Sequence, residues 1–312
     1  MALVTNALTT YTAKGDRESL ANTIAMISPE ETPVASAIGR RSVSNPTFDF
    51  QEASLPAASS TGDLEGAEIS RVAATITTRS SNMCMIRSRN ATVTGTQQAA
   101  DAAGRGQGKM AWQMSVMSRA LKRDVEKSIC GQQGLNVGAA ATARATRGFE
   151  SWISTNTSRG TNGANAANSG AAPTDGTQRV FAEGFLTTVL QSCFGAGANV
   201  SMLVVGAFNK IKVSGFTGRS SARQNIAADR IQQSVAIYAS DFGELSVMPS
   251  NFSRSRSALL IDPDYMQLAT YRDYQQVPIS SIGDAETRML LVEFGLQITE
   301  SANGVIADLT TS

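Results

Sequence analysis

The sequence predicts an α+β fold with two projecting pieces, a jointed N-terminal arm and a long hairpin, that have little core of their own. Three observations lead there. Met110, Met114, Met117, Leu121, Val125 and Ile129 recur every three or four residues and draw one apolar stripe along a helix. Residues 47–51 and 71–78 alternate apolar and polar, the pattern of two half-buried strands. The last third strings short apolar runs between turn residues, as a mixed sheet requires.

The elements follow in chain order. Residues 17–27 fit a short helix with Leu20, Ile24 and Ile27 on one face. Ser28-Pro29-Glu30-Glu31 reads as a helix start, with Ser28 as cap and Glu31 closing a capping box. Pro33 cuts that turn short, and the apolar piece 34–38 stops at Gly39. Phe48 and Phe50 then share one side of the first hairpin strand, and Val72, Ala74 and Ile76 line the second. Between them, residues 53–70 form a polar tip carrying Asp63, Glu65 and Glu68 and no base. Such a strand pair must pack on something else.

A strand over 83–93 leads to a joint at Gly104, Gly106 and Gly108, and then to the helix of about 109–130, ended by Gly131 or Gly134. Its polar face is read as Arg119, Lys122, Arg123, Glu126 and Lys127. Residues 154–178 are Asn-, Gly- and Ser-rich, too polar to offset their ordering entropy, and are expected as an exposed flexible loop. Beyond them come a helix at 181–194 with Phe181, Phe185, Val189 and Phe194 near one face, a buried strand at 202–205, and a helix at 208–213. Strands follow at 234–239, 244–248, 258–261 and 287–299, and an Asn303-Gly304 turn starts a return strand.

Composition excludes more than it selects. The 312 residues carry a net charge of +1, no histidine and only 17% charged residues. Without histidine there is no Ser-His-Asp or Cys-His catalysis and no His-containing zinc site. The near-neutral balance speaks against a dedicated nucleic-acid-binding module. Cys84, Cys130 and Cys193 are odd in number, far apart and set among apolar neighbours, as buried thiols are. No secretory leader or membrane-length apolar run is recognised, so synthesis in a cytoplasm is expected.

Three motifs suggest chemistry and fail on inspection. Gly104-Arg105-Gly106-Gln107-Gly108-Lys109 has the wrong spacing for a phosphate loop, and Met110 stands where a hydroxyl is needed. Asp262-Pro263-Asp264, near Tyr265, Tyr271, Arg272, Asp273 and Tyr274, reads as a turn. Arg254 and Arg256 in Ser253-Arg254-Ser255-Arg256-Ser257 read as a solvated turn rather than a phosphate contact. No catalytic residue, cofactor or metal ligand is assigned.

The order of the pieces carries a resemblance. The arm segment Thr32-Pro33-Val34-Ala35-Ser36-Ala37-Ile38-Gly39, a long polar-tipped hairpin, one long helix and a mixed α/β remainder resemble the Hong Kong 97-type capsid fold of tailed bacteriophages. Tyr11-Thr12-Ala13-Lys14-Gly15-Asp16-Arg17-Glu18 and Ser28-Pro29-Glu30-Glu31-Thr32-Pro33 look like the narrower SU-ten-like major capsid proteins. The resemblance covers nearly the whole chain in element order. It implies an N-terminal arm over 1–46, an extended loop over 47–82, and a peripheral domain over 83–178 with the spine helix and flexible loop. An axial domain would follow over 179–250, and 251–312 would return to the peripheral strands.

The resemblance also implies a virion shell protein that assembles with itself into hexamers and pentamers around double-stranded DNA touched non-specifically. A portal protein, scaffolding and decoration proteins would be partners; a membrane would not. The acidic tip (Asp63, Glu65, Glu68) would meet Arg119, Lys122 and Arg123 of a neighbour. Shells that cross-link themselves use a lysine in the extended loop, and none lies between Lys14 and Lys109. The rival readings are a phage tail or adhesin component, an encapsulin-like protein nanocompartment, and an enzyme.

Overall fold

The computed structural model describes residues 28–53, 55–62, 64–66, 74, 76–100, 108–167, 170–216, 236–280 and 283–311. The expected helix over 17–27 and the Gly104–Gly106 joint lie outside them. The helices are α1 (Pro33–Ala37), α2 (Gly95–Ala99), α3 (Lys109–Ile129), α4 (Phe149–Trp152), α5 (Glu183–Gly195) and α6 (Ala207–Ser214). The first strands are β1 (Gly39–Ser42), β2 (Thr47–Glu52), β3 (Thr78–Met83), β4 (Met85–Thr94) and β5 (Thr157–Ser158). Then come β6 (Met202–Val205), β7 (Ile237–Ser240), β8 (Gly243–Pro249) and β9 (Ala258–Ile261). The last are β10 (Met266–Ile279), β11 (Ala285–Ile298) and β12 (Gly304–Ile306).

Three sheets result. One has the order β1-β10-β11-β4, a second β5-β12-β9-β6-β8-β7, and β2 with β3 forms a separate two-stranded ribbon. Residues 251–312 are shared out, with β9 and β12 in the six-stranded sheet and β10 and β11 in the four-stranded one. Two cores explain the runs of unbroken hydrophobicity. Met202, Val204, Leu259 and Ile261 face a core shared with α3 and the four-stranded sheet. Their neighbours Leu203, Val205, Ala258 and Leu260 face the other way, into the core under α5 and α6. A strand covered on both faces has no polar side to show.

The apolar stripe of α3 is buried at Met110, Met114, Leu121, Val125 and Ile129, as its spacing predicts. All three cysteines are buried and unpaired, and burial pushes the Cys84 and Cys193 thiols up to about 12. Asp262-Pro263-Asp264 is a turn, with the Asp262 carboxylate accepting from the Asp264 amide at 3.2 Å.

Other expectations need correction. No helix starts at Pro29; α1 begins at Pro33, because a residue before proline is pushed out of the helical region and Thr32 sits at φ −122° and ψ 74°. The partner of β2 is residues 78–83, later than expected, with Phe50 opposite Ser80. Asn303-Gly304 makes no hairpin: β11 and β12 lie in different sheets, and Asn303 is extended at φ −122°. Gly304 is needed for closeness instead, since a Cβ there would sit 2.6 Å from Val189 and 3.1 Å from the Cys193 sulfur. In α5 the buried face is Leu186, Val189, Leu190 and Cys193, while Phe194 is exposed.

Strand β10 was not foreseen. Its outer half is largely exposed on both sides, and register shifts after Thr270 and Arg272 break its alternation. Residues 154–178 differ from the expected flexible loop as well. Residues 161, 162, 164 and 165 are exposed, but the backbone is fastened. Asp308 accepts from the amides of Gly160 and Gly176 at 3.0 and 2.8 Å, and Ala164 bridges to Thr174. The anchoring residue lies far along the chain, where local composition cannot reveal it.

Candidate assembly surfaces

The β2–β3 ribbon is fixed at its root and bare beyond it. Phe48 and Phe50 are buried in the first core, and the Phe50 and Trp152 rings lie 5.5 Å apart. Gly295 admits Phe48, whose ring edge would be 2.5 Å from an added Cβ. Past Glu52 the cover ends. Leu55, Leu64 and Ile76 are 93%, 83% and 89% exposed. Each such side chain is worth about 1.5 to 3 kcal/mol when buried, so three of them together favour a partner surface. Glu65 is exposed; Asp63 and Glu68 lie outside the described residues.

The arm is held by a residue read from sequence as surface. Glu126, on α3, is fully buried, and its two carboxylate oxygens accept from the amides of Val34 and Ala35 at 3.0 and 2.7 Å. These are orphan donors at the start of α1. Burial holds the Glu126 carboxyl above the usual carboxylate range, and the two amides and the Cys130 thiol oppose that. Sequence gave no signal for this contact, because its partners lie more than 90 residues away.

The basic side chains of α3 are divided between two flanks. Arg119 meets Glu30 at 3.0 Å, and Lys122 is exposed. Arg123 leans over the Phe252 ring at 5.3 Å, and Asp124 is gripped by Arg89 at 2.6 and 2.8 Å. Among the described residues, Glu65, the one tip acid included, forms no ion pair with these bases within one chain.

Arg254 and Arg256 are not a solvated turn. Arg254 pairs with Asp175 and lies 3.5 Å from Glu150; Arg256 meets Asp308 at 3.1 Å. Together they tie the 154–178 segment to the last residues of the fold. Glu150 is fully buried, and burial raises its pKa.

Solved structures resemble this chain across nearly its full length. The cyanophage A-1(L) capsid asymmetric unit has a TM-score of 0.66 at 11% identity, covering 98% of this chain and 100% of that one. The capsid of a native GTA particle gives 0.64 at 11% identity, with 96% and 98% covered. A chain of Microbacterium phage Oxtober96 gives 0.63 at 12%, with 94% and 95% covered. This is the fold of phage capsid subunits. A profile of the SU10 major capsid protein family matches residues 3–310, and the chain belongs to that family. No curated protein matches it.

Proposed function

We propose that this major capsid protein closes, as hexamers and pentamers, into an icosahedral phage head around double-stranded DNA. The observation that carries the reading is the ribbon, rooted in the core yet ending in three exposed large apolar side chains. Closed symmetry repeats each modest contact around every capsomer. The four-stranded sheet with α3 would serve as peripheral domain and the six-stranded sheet as axial domain. A portal protein completes the shell, and scaffolding or decoration proteins supply what covalent cross-linking cannot. Particles purified from a producing host should hold nuclease-protected double-stranded DNA. Particles filled with a protein cargo would instead mark a nanocompartment, and fibres a tail component.

Charge guides the docking in this reading. The tip acids Asp63, Glu65 and Glu68 face Arg119, Lys122 and Arg123 of a neighbouring copy. Each exposed pair contributes only about 0 to 1 kcal/mol, and salt weakens it. Replacing the three acids with lysine should block assembly at low salt. Adding Arg119→Glu, Lys122→Glu and Arg123→Glu should partly restore it. Wild-type shell yield from the triple-lysine variant at low salt would show that the tip does not dock by charge.

A further inference from the structure

A groove of about 1180 Å³ runs between α3, β4 and the 251–254 turn. Five cations and one carboxylate line it, a net +4, on a chain whose total is +1. Two of those cations are already engaged: Arg89 holds Asp124, and Arg254 is shared between Asp175 and Glu150. Arg87, Arg123 and Lys127 remain, and among the described residues none of them has a carboxylate partner. Arg87 and Lys127 are exposed, and Arg123 lies against Phe252 at the groove's lip. Three like charges converging on one open channel repel one another unless an anion lies between them.

We propose that this groove holds the phosphate backbone of nucleic acid, so that the face formed by α3 and β4 is the inner face of the shell wall. This rests on the capsid reading, and it gives Arg123, which lies on the groove side of α3 against Phe252, to phosphate and leaves Arg119 and Lys122 to the tip of a neighbour. Two observations favour a polyphosphate over an acidic polypeptide. Five cations against one carboxylate match a run of phosphates, whereas the acidic tip of this chain couples its charge to exposed Leu55 and Leu64. Two of the three uncompensated cations are arginines, whose planar forks match phosphate oxygens. No base edge is read, so the contact is independent of sequence.

Each phosphate neutralised on duplex DNA contributes a slope of about −0.9 to log K against log salt. Three cations therefore predict about a 40-fold loss of affinity as salt rises from about 50 to about 200 mM. The test is fluorescence anisotropy of a short labelled duplex titrated with the purified full chain. Arg87→Glu with Lys127→Glu should weaken binding and cut the salt effect to about 3-fold. Arg40→Glu with Lys212→Glu, both exposed and neither lining the groove, should leave binding unchanged. Arg87→Ala with Lys127→Ala is the fallback where the reversed pair fails to fold. Absence of duplex binding at about 50 mM salt, or binding indifferent to the groove variants, overturns the proposal. So does capture of a peptide of residues 53–70, lost in the groove variants, with no duplex bound. Shell formation is scored on the same preparations. Shells without duplex binding overturn the groove alone; duplex binding without shells supports the groove and counts against the shell reading.

Discussion

Deleting residues 53–70 should leave a soluble, folded subunit that forms no closed shells. The described residues of the removed stretch put Leu55 and Leu64 on the surface and add nothing to either core. The ribbon itself keeps its root, since Phe48, Phe50 and the β2–β3 register lie outside the deletion. Thermal unfolding of the isolated subunit should therefore shift little. Assembly should fail, because the deleted residues hold two of the three exposed apolar side chains and all the tip acids. Sedimentation of the variant beside wild type reads both outcomes. Normal particles from the truncated chain would show that the tip is not the inter-subunit element.

Glu126→Ala should be among the most destabilising single changes on α3. It leaves the Val34 and Ala35 amides without acceptors beneath a buried side chain, and each stranded donor costs about 1 to 3 kcal/mol. The sum, about 2 to 6 kcal/mol, should appear as a lower denaturant midpoint and as early proteolysis ahead of β1. Glu126→Gln, which keeps one acceptor, should lose less. The pH dependence has a definite sign. A carboxyl whose folded pKa is raised contributes stability that is fully present below its unfolded value and is lost as pH rises through the folded one. Stability of wild type relative to Glu126→Ala should therefore increase as pH is lowered from neutrality through the folded pKa. Taking the difference removes Glu150, which shifts the same way, and Asp175, which the Arg254 beside it holds low and which acts oppositely.

The parts legible in the sequence were those whose cause is local. The α3 stripe, the Phe48–Phe50 alternation and the buried strand at 202–205 each show their period within a few residues. What the sequence concealed depends on distant partners. Glu126 looks like one more charge on a polar face until α1 is laid over it. Asp308 looks terminal until two glycine amides and Arg256 close around it. Asn303-Gly304 carries a hairpin's composition, yet the Asp262 amide and the Thr299 carbonyl hold Asn303 in extended form. Of the candidate site residues, only the basic set on α3 could be placed fully, and two of its three members have partners within the chain.

Electron microscopy of the protein expressed with and without its neighbouring genes tests the central claim most directly. Closed spherical shells with five-fold and six-fold capsomers, each ribbon lying across an adjacent subunit, are the predicted result. Filaments, or subunits that stay monomeric under every condition in which the neighbouring genes are present, would contradict it.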